Sequence, residues 1–362
     1  MRADLFDYAL PDELVAQRPP SERDGARMLV LGREGIEHRR VRELAELIPE
    51  GSLVVLNETR VRRARLFCRR PALGPGWGGG KVELLLLGPT PRGTWRALGR
   101  ANRPLRPGDR LEPEQPGPEL SWLEVVEREG DGTLVVRAWR GDGREAAVDA
   151  FERRLEELGS MPLPPYVRRA ADAADAERYQ TVFARQLGSV AAPTAGLHLT
   201  ERAFERLAAR GVEVGRLVLH VGVGTFRPVS AEDFDEHDMH SEELEVSEEL
   251  AERIAQVRAR NGRVVAIGTT AVRALEAAAD PDRIGYVRPS AGATRLLIQP
   301  GYQFRVVDAL LTNFHMPRST LLALVSAFAG RSRVLEAYQA AIAERYRFLS
   351  YGDAMWLPER LS

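Results

Sequence analysis

Five of the six histidines lie between residues 198 and 315, and three of these stand where strand-like runs give way to loops or helices. His220 follows Val218-Leu219 and precedes Gly222-Val223-Gly224. His315 follows LLTNF and precedes a proline and a helix-like run, while His198 sits in APTAGLHLTERAF at a helix entrance. Imidazole titrates near neutrality, so these residue types suit general acid and base steps. Loops at the carboxyl ends of strands in α/β sheets converge on a ligand crevice. Each histidine alone reads as a satisfied structural residue; the set of three reads as function. His237-Asp238-Met239-His240 lies in a run, Ala231 to Arg253, with eleven acidic residues and one arginine. Its spacing suits one helical face only approximately. A solvated acidic segment is therefore favoured over a metal site, with His240-Ser241-Glu242 able to fold onto an active site.

Two glycine elements could hold an anion. HVGVGTFRP has Gly-x-Gly after a strand-like run, but Phe226-Arg227-Pro228 follows instead of a helix, and the third glycine of the dinucleotide fingerprint is missing. VVAIGTTAVRALEAA is better placed: strand, Gly268, Thr269, Thr270 and helix are consecutive. Such a junction presents free backbone N–H groups and a positive dipole end to a carboxylate or phosphate. The plainer reading is a threonine cap after a tight turn. NFHMPRSTLLALV repeats the arrangement, with Ser319 or Thr320 as cap.

The charge balance over 362 residues is 51 Lys+Arg against 52 Asp+Glu, but the charges are segregated. Arg60 to Arg110 holds 13 basic residues against Glu83 and Asp109, a local net of +11. Arg60, Arg62, Arg63, Arg65, Arg69 and Arg70 bracket a domain junction, and Arg96, Arg100, Arg103, Arg106 and Arg110 recur beyond it. Guanidinium forks match phosphate oxygens, and Trp77 and Trp95 could stack on bases, so nucleic-acid contact is favoured over a merely solvated surface. Lys81 is the only lysine and Cys68 the only cysteine. This nearly removes Schiff-base and pyridoxal-phosphate chemistry, and it removes cysteine-built zinc sites, disulfide frameworks and multi-cysteine iron–sulfur clusters.

The elements that must position these groups come in two textures. Residues 1–62 begin with a short helix at LPDELVAQ, a strand at MLVL, a helix at VRELAELI and a buried strand over Ser52–Leu56. From 63 to 150 short runs (KVELLLL, TWRALGR, DRLEP, SWLEVVERE, TLVVRAW) alternate with Gly- and Pro-rich turns. Asp131-Gly132 is a hairpin signal, and the pattern indicates a small β-barrel or sandwich. After 150, the helix FERRLEELG leads into alternation. VGRLVLHV, RVVAIG, RLLIQP and FRVVDALLTNF read as strands; ERAFERLAARG, SEELAERIAQVRARNG, TAVRALEAAA and STLLALVSAFAG read as helices. The expected fold is α/β: a mostly parallel sheet covered by helices, formed by residues 1–62 and 151–362, with a small β-barrel of residues 63–150 inserted. No apolar segment approaches the roughly 20 residues of a membrane span, and the N-terminus lacks the apolar core of a secretory signal, so a cytoplasmic protein is expected.

In their order, FDYALPDELVAQRP, LNETRVRRARL, GSVAAPTAGLHLT, LHVGVGTFRPV, HDMHSE, GTTAVRALE, PGYQF, LLTNFHMPRSTLLALVSAFAG and YRFLSYGDAM resemble the S-adenosylmethionine:tRNA ribosyltransferase-isomerase family of queuosine biosynthesis. The resemblance runs from about Phe6 to Met355 and is weakest across the inserted region. It departs at Ala26 (serine expected), Leu199 (phenylalanine expected) and Met316 (leucine expected). The resemblance implies a three-layer α/β/α domain with an inserted barrel. It also implies transfer and isomerisation of the ribosyl moiety of S-adenosylmethionine onto 7-aminomethyl-7-deazaguanine at the wobble position of a tRNA with a GUN anticodon. Epoxyqueuosine-tRNA forms, and adenine and methionine are released. No cofactor beyond S-adenosylmethionine as co-substrate and no metal is expected; the family leans to a monomer.

On that resemblance His198 and His220 are the leading acid–base candidates, with His240 and His315 second and Asp353 holding a ribose hydroxyl or the substrate amine. Thr269, Thr270 and Arg273 are expected at the methionine carboxylate. Asn313 and Arg318 are expected at the adenine or a tRNA phosphate, and Thr194, Arg227 and Tyr351 also at the substrate. Arg60, Arg62, Arg63, Arg65, Arg100 and Arg103 are expected at the tRNA. A non-catalytic tRNA-binding protein would explain the arginines but not the histidines at strand ends. A His/Asp metal hydrolase would lose activity to a chelator.

Overall fold

Every residue of the run Leu53–Asn57 is buried, as a strand covered on both faces must be. A computed structural model describes residues 1–72, 79–222, 232–236 and 239–361. In chain order the first elements are β1 (Arg27–Gly32), β2 (Gly35–Arg40), α1 (Leu44–Leu47), β3 (Leu53–Asn57) and β4 (Thr59–Val61). β5 (Arg65–Arg70), β6 (Gly80–Pro89), β7 (Trp95–Ala101), β8 (Arg110–Pro113), β9 (Trp122–Arg128) and β10 (Leu134–Trp139) follow. Next come α2 (Val148–Leu158), α3 (Asp175–Arg178), β11 (Gln186–Ser189), α4 (Glu201–Ala209), β12 (Glu213–Leu219), β13 (Glu242–Val246) and α5 (Glu248–Ala259). The chain ends with β14 (Val264–Ile267), α6 (Thr269–Ala277), β15 (Ser290–Thr294), β16 (Ala309–Asn313), α7 (Thr320–Ala329), α8 (Arg331–Ala343) and β17 (Ala354–Leu357).

Nine strands form one sheet in the order β15-β13-β12-β3-β14-β16-β17-β1-β2. Its centre, β12-β3-β14-β16, is parallel, as is β17 beside β1; antiparallel pairings lie at both edges and between β16 and β17. The two-residue period of strands splits the core in two. Leu53, Val55, Val264, Ala266 and Leu310 pack beneath α5–α8, while Val54, Leu56, Val265, Ile267 and Leu311 pack with α1 and α4. The result is the expected three layers.

β5–β10 close into an antiparallel barrel in the order β10-β7-β6-β5-β8-β9. Gly132 takes positive φ in the hairpin between β9 and β10. Phe151 and Leu155 of α2 join the barrel's own core, where Phe151 meets Trp95 edge-on at 5.1 Å. No helix among the described residues is long and apolar enough to cross a membrane.

Some expected elements differ. LPDELVAQ makes only a 3-10 turn, Asp12–Leu14. RLLIQP is not a strand: the edge strand lies just upstream, and the Leu296 carbonyl accepts from Arg273. FRVVDALLTNF forms a strand only over Ala309–Asn313. The buried Glu276 carboxylate accepts the amides of Arg305, Val306 and Val307 at 2.9–3.0 Å, so those groups are taken from any ladder.

Candidate active site

A cleft opens at the carboxyl ends of β14 and β16, where parallel strands of an open sheet leave room for a ligand. β14 runs into Gly268, whose φ of 91° turns the chain directly into α6. That backbone conformation favours glycine. Thr269 and Thr270 therefore line the cleft at a helix N-terminus, and no hydrogen-bond partner meets the buried Thr270 hydroxyl among the described residues. Asn313 and His315 enter from the end of β16, Thr194 from the segment after β11, and Tyr166 and Ser350 from more distant loops.

The polar groups around the cleft form a directed network. The Thr194 hydroxyl donates to Asn313 Oδ1 at 3.0 Å, which leaves the Asn313 amide to donate to His198 Nε2 at 3.2 Å. An acceptor Nε2 puts the imidazole proton on Nδ1 and keeps the ring neutral. Burial acts the same way, pushing the His198 pKa down to about 4. His198 lines a smaller cavity with Arg23, Arg178 and Tyr351; Ser350 borders both that cavity and the main cleft. His315 is held through Nε2 by the Thr312 hydroxyl at 2.8 Å. Its backbone N–H donates to the Tyr338 hydroxyl, and its carbonyl accepts from Tyr8. Burial lowers the His315 pKa to about 3, so it too is neutral near pH 7. Tyr166 bonds Ser350 Oγ at 2.6 Å, and burial pushes its phenol up to about 12.

A second cavity adjoins the first, with Leu321 in both linings. It is bordered by His240, Glu242, Arg273 and the apolar Leu296, Leu297 and Ile298. Arg273 and Glu242 form a buried ion pair, and Arg273 Nε donates to the Leu296 carbonyl at 3.1 Å. The buried Arg273 Nη2 has no partner among the described residues. A donor left unpaired in a dry site is costly, and an anion would satisfy it.

Other expected site residues lie elsewhere. His220 bonds the Thr59 hydroxyl through Nδ1 at 2.8 Å, and Thr59 in turn meets Ser189 at 2.7 Å. The ring packs on Gly188, where a Cβ would come within 2.6 Å of it, and burial lowers its pKa. His220 borders neither cavity. Asp353 is buried and accepts the backbone amides of Arg27 and Arg347 at 2.9 and 2.8 Å. It too lies outside both linings. Tyr351 donates to Asp175 at 2.8 Å. Arg318, at φ 56°, lies outside the cleft lining and gives its backbone N–H to Phe6. Ser319 is the α7 cap. Arg227, Trp77, His237 and Asp238 lie outside the described residues.

The arginines separate in the same way. Arg60, Arg100 and Arg103 are exposed. Arg62 is buried: it pairs with Glu152 at 2.5 Å and lies 5.1 Å from the Trp95 ring, which is itself in the barrel core. Neither is placed to meet an RNA. The Arg63 backbone amide donates to the Glu156 carboxylate, and the half-buried Arg65 faces Glu83 at 3.3 Å. Sequence reasoning missed Thr312, Tyr166 and Ser350. Thr312 stands three residues before His315 and was open to inspection, whereas Tyr166 and Ser350 reach the cleft only through folding.

The family model for "Queuosine biosynthesis protein" matches residues 3–357. An S-adenosylmethionine:tRNA ribosyltransferase-isomerase of Sorangium cellulosum is 53% identical over 98% of both chains. One of the same name from Anaeromyxobacter sp. (strain Fw109-5) is 52% identical over 99% of both. The crystal structure of an S-adenosylmethionine tRNA ribosyltransferase from Thermotoga maritima is similar at 34% identity and a TM-score of 0.52, over 98% of this chain and 99% of that one.

Proposed function

The chain is an enzyme belonging to the queuosine biosynthesis protein family, and on that premise we propose that it moves the ribosyl part of S-adenosylmethionine onto a tRNA base. The acceptor is the aminomethyl group of 7-aminomethyl-7-deazaguanine at the wobble position of a GUN anticodon. The ribose is rearranged to an epoxycyclopentanediol; adenine and methionine leave, and epoxyqueuosine-tRNA results.

The observation that carries this reading is the pair of adjoining cavities with unlike linings. The main cleft, with Thr194, Asn313 and the α6 N-terminus, suits a nucleoside rich in hydroxyls and ring nitrogens. The neighbouring cavity offers the unpartnered Arg273 Nη2 to a carboxylate and Leu296, Leu297 and Leu321 to an aliphatic chain. S-adenosylmethionine has these two halves joined at a sulfonium. The reaction needs a base for the carbon beside the sulfonium, a neutral attacking amine and a proton for departing adenine. Of the described histidines His315 alone lines the main cleft, and it meets the substrate as a neutral imidazole whose charged form burial disfavours. His198 acts through Asn313, fixing which end of that amide faces the cleft.

The test is incubation of the protein with S-adenosylmethionine and a tRNA anticodon stem-loop carrying the aminomethyl base, followed by mass spectrometry. Release of both adenine and methionine is expected. Folded protein that releases neither would overturn the reading.

A further inference from the structure

We propose that the outer face of β5, β6 and β7 is an RNA-docking surface, with Phe67 as a stacking platform for an unpaired base and Arg69, Lys81 and Arg100 as phosphate contacts. This rests on the reading that the acceptor is a tRNA. The barrel's alternation sends Leu66, Cys68, Val82, Leu84 and Ala97 into its core and the intervening side chains outward. Phe67 is thereby 41% exposed, the one aromatic among the exposed large hydrophobic side chains of the described residues.

The strand register sets cations around it. Phe67 lies opposite Glu83, Glu83 opposite Arg100, and the adjacent Arg69 lies opposite Lys81. Like charges directly opposite on one sheet face repel. Four other arginines of the barrel are balanced from within: Arg65 by Glu83, Arg70 by Asp109, Arg96 by Glu129 and Arg110 by Glu112. Arg69, Lys81 and Arg100 are exposed and form no ion pair among the described residues; Glu112 lies opposite Arg69 and Glu83 opposite Arg100, but these carboxylates pair with Arg110 and Arg65.

The opposite side of the barrel makes the contrast. Trp122 and Trp139 stack on each other at 5.1 Å, and their neighbours Arg110 and Arg137 are paired with carboxylates. That surface is already satisfied. The β5–β7 face leaves both an aromatic ring and a set of cations open, the combination with which small barrels take single-stranded nucleic acid. Phosphates would relieve the Arg69–Lys81 repulsion while a splayed base covers Phe67.

The test uses the full chain, with binding of a labelled tRNA transcript with a GUN anticodon read by anisotropy across a salt series. Phe67→Ala is expected to weaken binding about tenfold, and Phe67→Trp to retain it, as loss and retention of one stacked base predict. The triple Arg69→Gln, Lys81→Gln, Arg100→Gln is expected to reduce the slope of log affinity against log salt by about 2–3. S-adenosylmethionine affinity, measured by calorimetry, should be unchanged in all variants, which reports an intact fold. Wild-type affinity and slope in both Phe67→Ala and the triple variant would overturn the surface while leaving the tRNA reading standing. Failure of the wild-type protein to bind the transcript even at low salt would overturn both.

Discussion

Asn313 joins His198 to the main cleft: its amide donates to His198 Nε2 at 3.2 Å, and its carbonyl oxygen accepts the Thr194 hydroxyl at 3.0 Å. The imidazole thus acts on the cleft through a side chain whose orientation it sets, and its own tautomer is set in return.

Asn313→Asp should reverse that polarity. A carboxylate cannot donate to Nε2 and stabilises the imidazolium, so the His198 pKa should rise by about one to three pH units from its value near 4. Nitrogen-detected NMR titration of the ring would show it. A ring still neutral at pH 5 in the variant would contradict the assigned hydrogen-bond direction.

Removing the cleft imidazole should cost turnover. His315→Ala is expected to lower kcat by about 10²–10⁴-fold, the usual worth of a positioned acid or base. S-adenosylmethionine affinity should change little. Single-turnover release of adenine is the measurement, and near-normal turnover would remove His315 from the proton transfers.

Acid should destabilise the fold through the two buried histidines. Their folded-state values, about 4 for His198 and about 3 for His315, lie below the ordinary 6.5, so between those limits the unfolded chain binds more protons. Stability is full above pH 6.5 and falls as pH drops toward 4, by up to about 1.4 kcal/mol per pH unit for each group. Denaturant unfolding of wild type and His315→Gln between pH 7 and 4.5 should give a shallower decline in the variant. Parallel curves would refute the coupling.

The Arg273–Glu242 pair separates folding from binding. Arg273→Met alone breaks a buried ion pair and should cost about 3–5 kcal/mol. Adding Glu242→Gln should recover most of that loss in denaturant unfolding, yet the double variant should still bind S-adenosylmethionine weakly by calorimetry. Wild-type affinity in the double variant would place the carboxylate elsewhere.

Gly188→Ala should displace the His220 ring, because a Cβ there would come within 2.6 Å of its atoms. Overpacking of this kind costs about 1–3 kcal/mol. Loss of the His220–Thr59 hydrogen bond should accompany it, visible as a shifted ring titration. Unchanged stability and titration would show that the contact yields freely.

Local signals carried much of the fold. The apolar run before Asn57, the Asp131-Gly132 hairpin and the strand–glycine–helix junction at Gly268 each appear where their short-range chemistry puts them, because strand period and turn conformation depend on adjacent residues. The Thr194, Thr269, Thr270, Asn313 and His315 side chains of the cleft were legible for the same reason, as they sit where strands end or helices begin.

Partner choice was not legible, because it is made across the fold. Arg62 looks like its neighbours in sequence, but Glu152 and the Trp95 face, brought in by α2 and the barrel, take it out of solvent. Glu276 captures amides that would otherwise extend a strand, and Asp353 meets the amides of Arg27 and Arg347 rather than the cleft. Sequence determined which elements form and which ends of them carry polar groups. Tertiary structure decided which polar groups stay unpaired, since burial and the distance to an opposite charge come from packing between remote segments.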